Sequence, residues 1–343
     1  AQGIPDPAPF AGLQPGGYDM TYALSDSPCS LCPRKCGVDR KTETGFCKVT
    51  RTIRAARAAL HAWEEPCISG PQWEPGGSGT VFFSGCTLRC VFCQNHAISA
   101  ENFGRELTAG ELADVFLRLQ EQGAHNINLV TATQFLPSIL PALDQVRHRL
   151  RIPVVYNCGG YELVSTLKAL KDYVGIWLPY FKYYDSQLAW ELSGARDYFD
   201  VASAAISQMI AQTGPPVLVP SQSPEPKLSG RFFPLIKKGV IIRHLVLPGH
   251  RKDSIALLGW IRSHLPEGGF LISLMSQYTP AAPVPKHPEL NRRITSYEYD
   301  KVVDEAIRLG LTQGYMQKKS SAREEYTPPF DLEGLSPTAL HTP

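Results

Sequence analysis

The 343-residue sequence contains no uncharged apolar run approaching the roughly 18 residues that a membrane-spanning helix needs. Its first residues lack the basic and apolar regions of a signal peptide. The formal net charge is only +2, so no charge excess points to a nucleic-acid partner. No glycine-rich dinucleotide motif follows the first apolar run of the central region, which disfavours a nicotinamide-binding fold. These absences predict a cytoplasmic protein that binds neither membrane nor nucleic acid.

The central region contains apolar, β-rich runs that alternate with helical patterns, which is typical of parallel βαβ units. Capping boxes at Thr108–Glu111 and Thr295–Glu298 predict helix starts. Residues 213–230 contain five prolines and no periodicity, so they are predicted to form a long loop. Six strands are predicted, at residues 80–85, 126–131, 152–157, 174–179, 240–247 and 270–275.

Six βα units are too few to close an eight-stranded barrel, so the predicted fold is a partial (β/α)6 TIM-like barrel. In such folds the site lies beyond the carboxyl ends of the strands. The chain is divided into an extended arm at residues 1–28, a cysteine-rich N-terminal extension at 29–77, the barrel at 78–318, and a C-terminal tail at 319–343.

Seven of the nine cysteines fall in two tight groups, which favours metal binding over disulfides. Cys86, Cys90 and Cys93 form a C-x3-C-x2-C pattern directly after the first predicted strand. Thiolates at these spacings on a loop can each reach a different iron of one iron–sulfur cluster. The alternative is a zinc site completed by a distant residue or by His96.

The stretch CTLRCVFC, with Phe92 as its aromatic residue, resembles the signature of radical S-adenosylmethionine (SAM) enzymes. SLCPRKCGVDR, EEPCISG, INLVTATQ, IPVVYNCGGYE, FKYYD, IIRHLVLPG and LMSQYTP resemble, in order, a branch related to the pyruvate formate-lyase activating enzyme. The resemblance implies a 4Fe-4S cluster on the three thiolates, with its fourth iron left open for SAM. It also implies reductive cleavage of SAM to a 5′-deoxyadenosyl radical that abstracts a substrate hydrogen atom.

The same resemblance implies roles for individual residues. Backbone at Val91 to Cys93 is expected against the adenine, while Arg243 and Lys182 are expected to face the cofactor. The Gly-Gly-Glu that relatives carry after the second strand is missing, so the polar groups available there are Asn128, Thr131, Thr133 and Gln134. Tyr180 stands where relatives carry Asp, and Tyr278 where activating enzymes carry a ribose-contacting His. The strand-end residues Asn157 and Gln277 complete the predicted cofactor site.

The second cysteine group is Cys29, Cys32, Cys36 and Cys47, whose four thiols are enough to ligate a second iron–sulfur cluster or a structural zinc ion. Cys67 and Cys158 are left over and are expected to be small buried apolar residues. Cys158 is also a candidate hydrogen-atom relay. Glu64 and Glu65 are interpreted as a solvated acidic pair, with substrate contact as the alternative.

The predicted function is SAM cleavage followed by hydrogen abstraction, with a glycine Cα of a glycyl-radical enzyme as the target that the resemblance suggests. A reductant such as flavodoxin or ferredoxin is the implied partner. Two alternatives remain open: radical modification of a small molecule or peptide that uses the auxiliary cluster, and a metal-binding scaffold without radical activity.

Overall fold

The structure, a computed structural model, describes residues 24–25, 27–71, 76–220, 234–317 and 327–336. Most of the predicted arm at 1–28, most of the predicted tail at 319–343, and residues 221–230 of the predicted proline-rich loop lie outside the described residues. None of the described helices is long and apolar enough to cross a membrane.

The described chain contains ten strands. In chain order they are β1 (Ile53–His61), β2 (Gly77–Phe83), β3 (Arg105–Leu107), β4 (Ala124–Val130), β5 (Val154–Cys158), β6 (Ile176–Pro179), β7 (Val217–Pro220), β8 (Pro234–Leu245), β9 (Leu271–Met275) and β10 (Gly314–Met316).

Nine α-helices of the described residues lie between and around these strands. They are α1 (Pro66–Ser69), α2 (His96–Ser99), α3 (Ala109–Glu121), α4 (Leu136–Val146), α5 (Val164–Ala169), α6 (Ser186–Ser193), α7 (Tyr198–Thr213), α8 (Arg251–His264) and α9 (Ser296–Arg308). Both predicted capping boxes are present: Thr108 caps α3 and Thr295 caps α9, each through a reciprocal bond with the glutamate three residues on.

The strands form one sheet in the order β10-β9-β8-β6-β5-β4-β2-β1-β3, with β7 paired to β8. All neighbours from β2 to β10 along this path are parallel. The six predicted strands correspond to β2, β4, β5, β6, β8 and β9. Strands β2, β5, β6 and β9 are buried along their whole length, as strands covered by helices must be. The fold is therefore mixed α/β with an open, largely parallel sheet, and the partial-barrel prediction is confirmed.

Strand β1 was not predicted, because IRAARAALH is rich in alanine and arginine rather than in β-branched residues. It pairs antiparallel with β2, from Ala55 opposite Phe83 to His61 opposite Ser78. Part of the segment assigned to the N-terminal extension thus belongs to the main sheet. Strand β7 likewise lies inside the segment predicted to be a loop.

The described piece of the C-terminal tail, residues 327–336, packs on β1 rather than extending away from the domain. The backbone N–H of Leu332 donates to Ala56, and that of Ala58 donates to Glu333. Arg57 forms ion pairs with Asp331 and Glu333. Because Leu335 is also buried, this part of the predicted tail packs against β1.

Candidate active site

A large cleft opens at the carboxyl ends of the parallel strands. It contains about 1490 Å³ of space free of atoms, its open mouth included. All six predicted strands contribute from their carboxyl-terminal ends, or from the residue just beyond, so the cleft lies where the fold predicts a site. The lining residues from these strand ends are Phe82, Phe83, Val130, Asn157, Cys158, Tyr180, Arg243, Leu245, Ser273 and Met275.

The loop between β2 and α2 brings Cys86, Cys90 and Cys93 to the wall of this cleft. The backbone N–H of Leu88 points at the Cys86 sulfur at 3.4 Å, and the Ser193 hydroxyl donates to the Cys90 sulfur at 3.0 Å. Burial raises the pKa of the Cys86 thiol to about 12 and also raises the pKa of Cys93. These thiols are therefore protonated when free and must release protons when they bind a metal.

Phe92 is buried between the cysteines and makes edge contacts with the rings of Tyr183 and Tyr278, at centroid distances of 6.5 and 6.2 Å. Next to it, the Val91 side chain is 45% exposed, while its backbone N–H donates to Leu192 at 2.9 Å. The Tyr278 hydroxyl donates to the carbonyl of Leu290. The hydroxyl is therefore engaged in holding a loop.

Six of the predicted cofactor residues line the cleft: Phe92, Thr131, Asn157, Lys182, Arg243 and Gln277. Thr131 directly follows β4 and has φ of 58°, a left-handed conformation that is unusual for a β-branched residue. Such strain is found most often at binding sites. Gln277 accepts a bond from Gln317 through its side chain and one from Gln94 through its backbone, so it connects the cysteine loop to β10.

Asn128, Thr133 and Gln134 lie behind the wall of the cleft and are fully buried. The Thr133 hydroxyl bonds to Tyr156 and to Glu162. The Gln134 side-chain amide donates to three backbone carbonyls, those of Ser84, Gly85 and Thr131. Gln134 therefore positions the cysteine loop against the end of β4.

Arg243 is 4% exposed, and carboxylates from this chain surround its guanidinium. Its Nε donates to Glu65 at 2.9 Å, and its Nη2 bonds to both Glu64 and Glu65. The interpretation of Glu64 and Glu65 as a solvated pair was wrong, since both are buried and both line the cleft. The carboxylates that pair with Arg243 therefore come from the protein itself, while Nη1 makes no hydrogen bond within the described chain.

Lys182 also reaches the cleft, where its Nζ lies 4.2 Å from the centroid of the Tyr180 ring and 5.9 Å from that of Phe92. The Arg243 guanidinium lies 5.7 Å from the same Tyr180 ring. Tyr180, which stands where relatives carry an aspartate, thus offers the negative face of its ring to two cations.

The four cysteines of the second group line one small cavity of about 300 Å³. Backbone N–H of Phe46 points at the Cys36 sulfur at 3.4 Å, and burial raises the pKa values of Cys32, to about 12, and of Cys47. Within the described residues, no three His, Cys, Asp or Glu side chains converge on a position for a single metal ion.

This second site packs directly on the first. Gly85, with φ of 79°, precedes Cys86, and a Cβ there would lie 2.8 Å from the carbonyl oxygen of Cys47. Arg34 donates to the carbonyl of Thr87, inside the C-x3-C loop, and to those of Ser193 and Gly194. The N-terminal segment therefore holds the cysteine loop in place.

Arg40 is a buried cation beside the second site. It is 1% exposed, and its only hydrogen bonds within the described ranges go to the backbone carbonyls of Gln134, Val49 and Thr50. Its Nε has no partner, and among the described residues no carboxylate pairs with it. Its charge acts to lower the pKa of Cys47, against the larger effect of burial.

Glu162 lies in the wall between the two sites. Burial raises its pKa to about 8, while Thr133, Tyr156 and Cys158 hydrogen-bond to its carboxyl group. Its charge also acts on the Cys32 thiol. Cys158 lines the cleft with its thiol engaged by Glu162, whereas Cys67 is buried beside Tyr315.

Sequence reasoning missed Arg34, Arg40, Glu162 and Ser193, and misread Glu64 and Glu65. One signal was available for the acidic pair: it sits between apolar residues, after Ala62 and Trp63 and before Cys67 and Ile68, where a solvated pair is unexpected. The bonds from Arg34 and Ser193 join residues between 53 and 160 positions apart, and no local pattern encodes them.

Residues 80–183 match the model of the Radical SAM superfamily, a span that contains Cys86, Cys90 and Cys93. The protein is 29% identical over 294 residues to the uncharacterized protein MJ0674 of Methanocaldococcus jannaschii, covering 82% of this chain and 75% of that one.

Two solved structures are similar at low sequence identity. One is SuiB of Streptococcus suis bound to S-adenosylmethionine, with a TM-score of 0.45, 14% identity, and coverage of 68% of this chain and 48% of that one. The other is methylornithine synthase (PylB), with a TM-score of 0.44, 16% identity, and coverage of 78% and 64%. The chain spans about half the length of SuiB.

Proposed function

We propose, starting from the radical SAM match of residues 80–183, that this protein is a radical S-adenosylmethionine enzyme whose catalytic ligands are Cys86, Cys90 and Cys93. The observation that carries the proposal is the position of these three thiols. They stand on the loop leaving the first parallel strand and share one cleft with the strand ends.

The residues present fit a 4Fe-4S cluster with one open iron. Thiolates that bind different irons of a cluster do not converge on one point, which agrees with the absence of a single-ion site in the described chain. The remaining cleft cysteine, Cys158, has its thiol hydrogen-bonded to Glu162 and is not needed as a fourth ligand. When bound, the cluster and SAM supply one-electron cleavage of the sulfonium and hydrogen-atom abstraction from a substrate.

The chain's own residues hold and shield this chemistry. Ser193 and the backbone around Leu88 donate to the sulfurs and stabilise thiolate charge. Thr131, Asn157, Lys182, Arg243 and Gln277 supply the polar contacts for the cofactor, with the free Nη1 of Arg243 available to a carboxylate. Phe92 lines the cleft, and the rings of Tyr183 and Tyr278 pack against it from behind.

The second site supports an auxiliary metal centre on Cys29, Cys32, Cys36 and Cys47. A buried cation is strongly unfavourable unless an anion compensates it, and Arg40 has no carboxylate among its described contacts. Four thiolates around a metal centre carry a net negative charge, which would compensate the positive charge of Arg40. Four thiols are enough for an iron–sulfur cluster or for zinc, and the proposal assigns an iron–sulfur cluster to this site.

The sequence resemblance also suggests a substrate. From it we expect the protein to activate a glycyl-radical enzyme by abstracting hydrogen from a glycine Cα, with flavodoxin or ferredoxin as reductant. The contact between the two cysteine sites favours a second candidate, oxidation of a small molecule or peptide with the auxiliary cluster accepting the electron.

Anaerobic reconstitution followed by iron and sulfide counting and a dithionite-driven cleavage assay tests the function. We expect wild type to release 5′-deoxyadenosine and methionine from SAM. The proposal fails if fully loaded wild type yields no 5′-deoxyadenosine. Product formation with a glycyl-radical partner, read by its radical EPR signal, separates the two substrate candidates.

A further inference from the structure

The end of helix α6 is in direct contact with the cysteine loop. The hydroxyl of Ser193, its last residue, donates to the Cys90 sulfur at 3.0 Å, and the carbonyl of Leu192 accepts from the Val91 N–H at 2.9 Å. Ser193 and Cys90 are both buried. A hydrogen bond to an ionised acceptor is stronger than one between neutral groups. The Ser193 hydroxyl therefore interacts most strongly with a Cys90 thiolate, which is the form of cysteine that binds a metal centre.

Tyr183 extends this contact to a chain of two hydroxyl groups. Its oxygen lies 2.7 Å from that of Ser193, and its side chain is fully buried. A hydroxyl group has one proton to donate. Since Ser193 directs its proton to the Cys90 sulfur, the proton between the two hydroxyl oxygens comes from Tyr183. Donation from Tyr183 polarises the Ser193 hydroxyl and strengthens its bond to sulfur.

Arg34, from the segment that carries the second cysteine group, also holds the end of α6. Its Nη2 donates to the carbonyl of Ser193 at 2.9 Å and its Nη1 donates to that of Gly194. Its Nε donates to the carbonyl of Thr87, inside the C-x3-C loop, at 2.9 Å. The guanidinium in turn stacks on the Phe46 ring, 3.9 Å from its centroid. One side chain thus fixes the end of α6 and the cysteine loop relative to each other.

We propose that the hydroxyl pair of Tyr183 and Ser193, held in place by Arg34, raises the reduction potential of the cluster that Cys90 ligates. The inference rests on the proposed function in one respect, namely that Cys90 is a cluster ligand. Adding one electron to the cluster increases the negative charge on its sulfur ligands, so a hydrogen bond to sulfur stabilises the reduced form more than the oxidised form. Ser193 acts through Cys90 and is a positioning residue.

A redox titration of the anaerobically reconstituted protein with dithionite and mediators, followed by EPR, measures this potential. The signal to follow is the one missing from the variant in which Cys86, Cys90 and Cys93 are replaced by alanine. We expect Ser193→Ala to shift the equilibrium toward the oxidised form about tenfold, which lowers the one-electron midpoint potential by about 59 mV. Ser193→Thr, which keeps the hydroxyl, should retain the wild-type midpoint. Ser207→Ala, at an exposed position of α7, is the matched control.

Two further variants test the groups that support Ser193. Tyr183→Phe removes the second hydroxyl and should shift the same equilibrium about threefold toward the oxidised form. Arg34→Met should lower the midpoint by less than Ser193→Ala does, because the Ser193 hydroxyl is still present but is held less firmly. An unchanged midpoint in Arg34→Met would overturn the role of Arg34.

The inference is overturned if the midpoint of Ser193→Ala equals that of Ser207→Ala at full iron loading. If Ser193→Ala does not fold, Tyr183→Phe decides in its place, and a midpoint equal to wild type overturns the inference. The proposed function fails separately: a protein with the expected midpoint shifts that releases no 5′-deoxyadenosine from SAM contradicts the function alone. A wild type in which the followed signal is missing contradicts both.

Discussion

The two cysteine sites of this protein differ in what surrounds them. Cys86, Cys90 and Cys93 stand on the wall of a cleft with about 1490 Å³ of free space, whereas Cys29, Cys32, Cys36 and Cys47 enclose about 300 Å³. A site with three thiols and room beside them suits a metal centre that takes a further ligand. A site with four thiols and little room suits a centre closed by the protein.

Their uncompensated charges have opposite signs. The closed site lies against Arg40, a buried cation bonded only to carbonyls, while the open cleft contains a pair of carboxylates that share Arg243. A buried charge without an opposite charge is strongly destabilising, so it indicates which charge its surroundings must supply. Among the described residues, Arg40 beside the closed site has no carboxylate partner, and four thiolates around a metal would supply the opposite charge. In the open cleft the described ion pairs place two carboxylates on one guanidinium.

Alanine substitution in each site gives the largest expected contrast. Cys86→Ala should lower 5′-deoxyadenosine formation by at least about a thousandfold, because SAM cleavage requires the open centre. Cys36→Ala should leave the affinity for SAM within about twofold of wild type, since it removes a ligand of the other centre only. Product formation by chromatography and SAM dialysis measure the two effects. Equal loss of SAM affinity in both variants would remove the distinction between the sites.

Arg40→Met tests the charge of the closed site. Removing the cation should make the auxiliary metal easier to extract with a chelator and lower the free energy of unfolding of the loaded protein by about 3–5 kcal/mol. Arg149→Met, at an exposed position shortly after α4, is the matched control. Metal retention after chelation and denaturant unfolding report the result, and unchanged retention would show that Arg40 does not balance thiolate charge.

Glu162→Gln tests whether the buried carboxyl group of Glu162 is protonated in the native protein, through the pH dependence of the free energy of unfolding. The native pKa of about 8 lies above the ordinary carboxyl value of 4.5, so native Glu162 keeps its proton while the unfolded chain loses it. The wild-type free energy of unfolding should therefore fall by on the order of 3 kcal/mol from pH 5 to pH 8 through this group. Glu162→Gln should lack that part of the slope. Denaturant unfolding of the metal-free proteins at several pH values measures it, and parallel slopes would contradict a protonated Glu162.

Much of this architecture could be predicted from the sequence. The six central strands have apolar residues on both faces, and the two helix starts carry complete capping boxes, so local chemistry alone determines them. The position of Cys86 after the first of these strands then places its loop at the carboxyl edge. Strand β1 could not be predicted, because its alanines and arginines form a strand only through pairing with β2.

The electrostatics of the site could not be predicted for a related reason. The sequence separation between Glu65 and Arg243 is 178 residues, and the burial that turns an acidic pair into a site arises only when β8 meets the segment after β1. The same holds for Arg40, whose lack of an anion is visible only once its neighbours are known. The spacing of metal ligands can be seen in a short stretch of sequence, whereas the balance of buried charges depends on contacts between distant segments.

Thr131→Gly should have the smallest effect. Relief of the left-handed conformation and the added flexibility of the unfolded chain nearly cancel, so the free energy of unfolding should change by less than about 1 kcal/mol. If the Thr131 hydroxyl contacts the cofactor, the affinity for SAM should still fall severalfold. Unfolding and dialysis on the same variant separate strain from binding, and unchanged SAM affinity would restrict Thr131 to a backbone role.

The difference between an open and a closed centre is tested most directly by EPR of the dithionite-reduced protein with and without SAM. The spectrum of wild type should contain signals from two clusters, of which SAM shifts one. The shifted signal should be missing from the variant in which Cys86, Cys90 and Cys93 are replaced by alanine, while the other signal remains. A fully iron-loaded wild type whose spectrum does not respond to SAM would contradict the account.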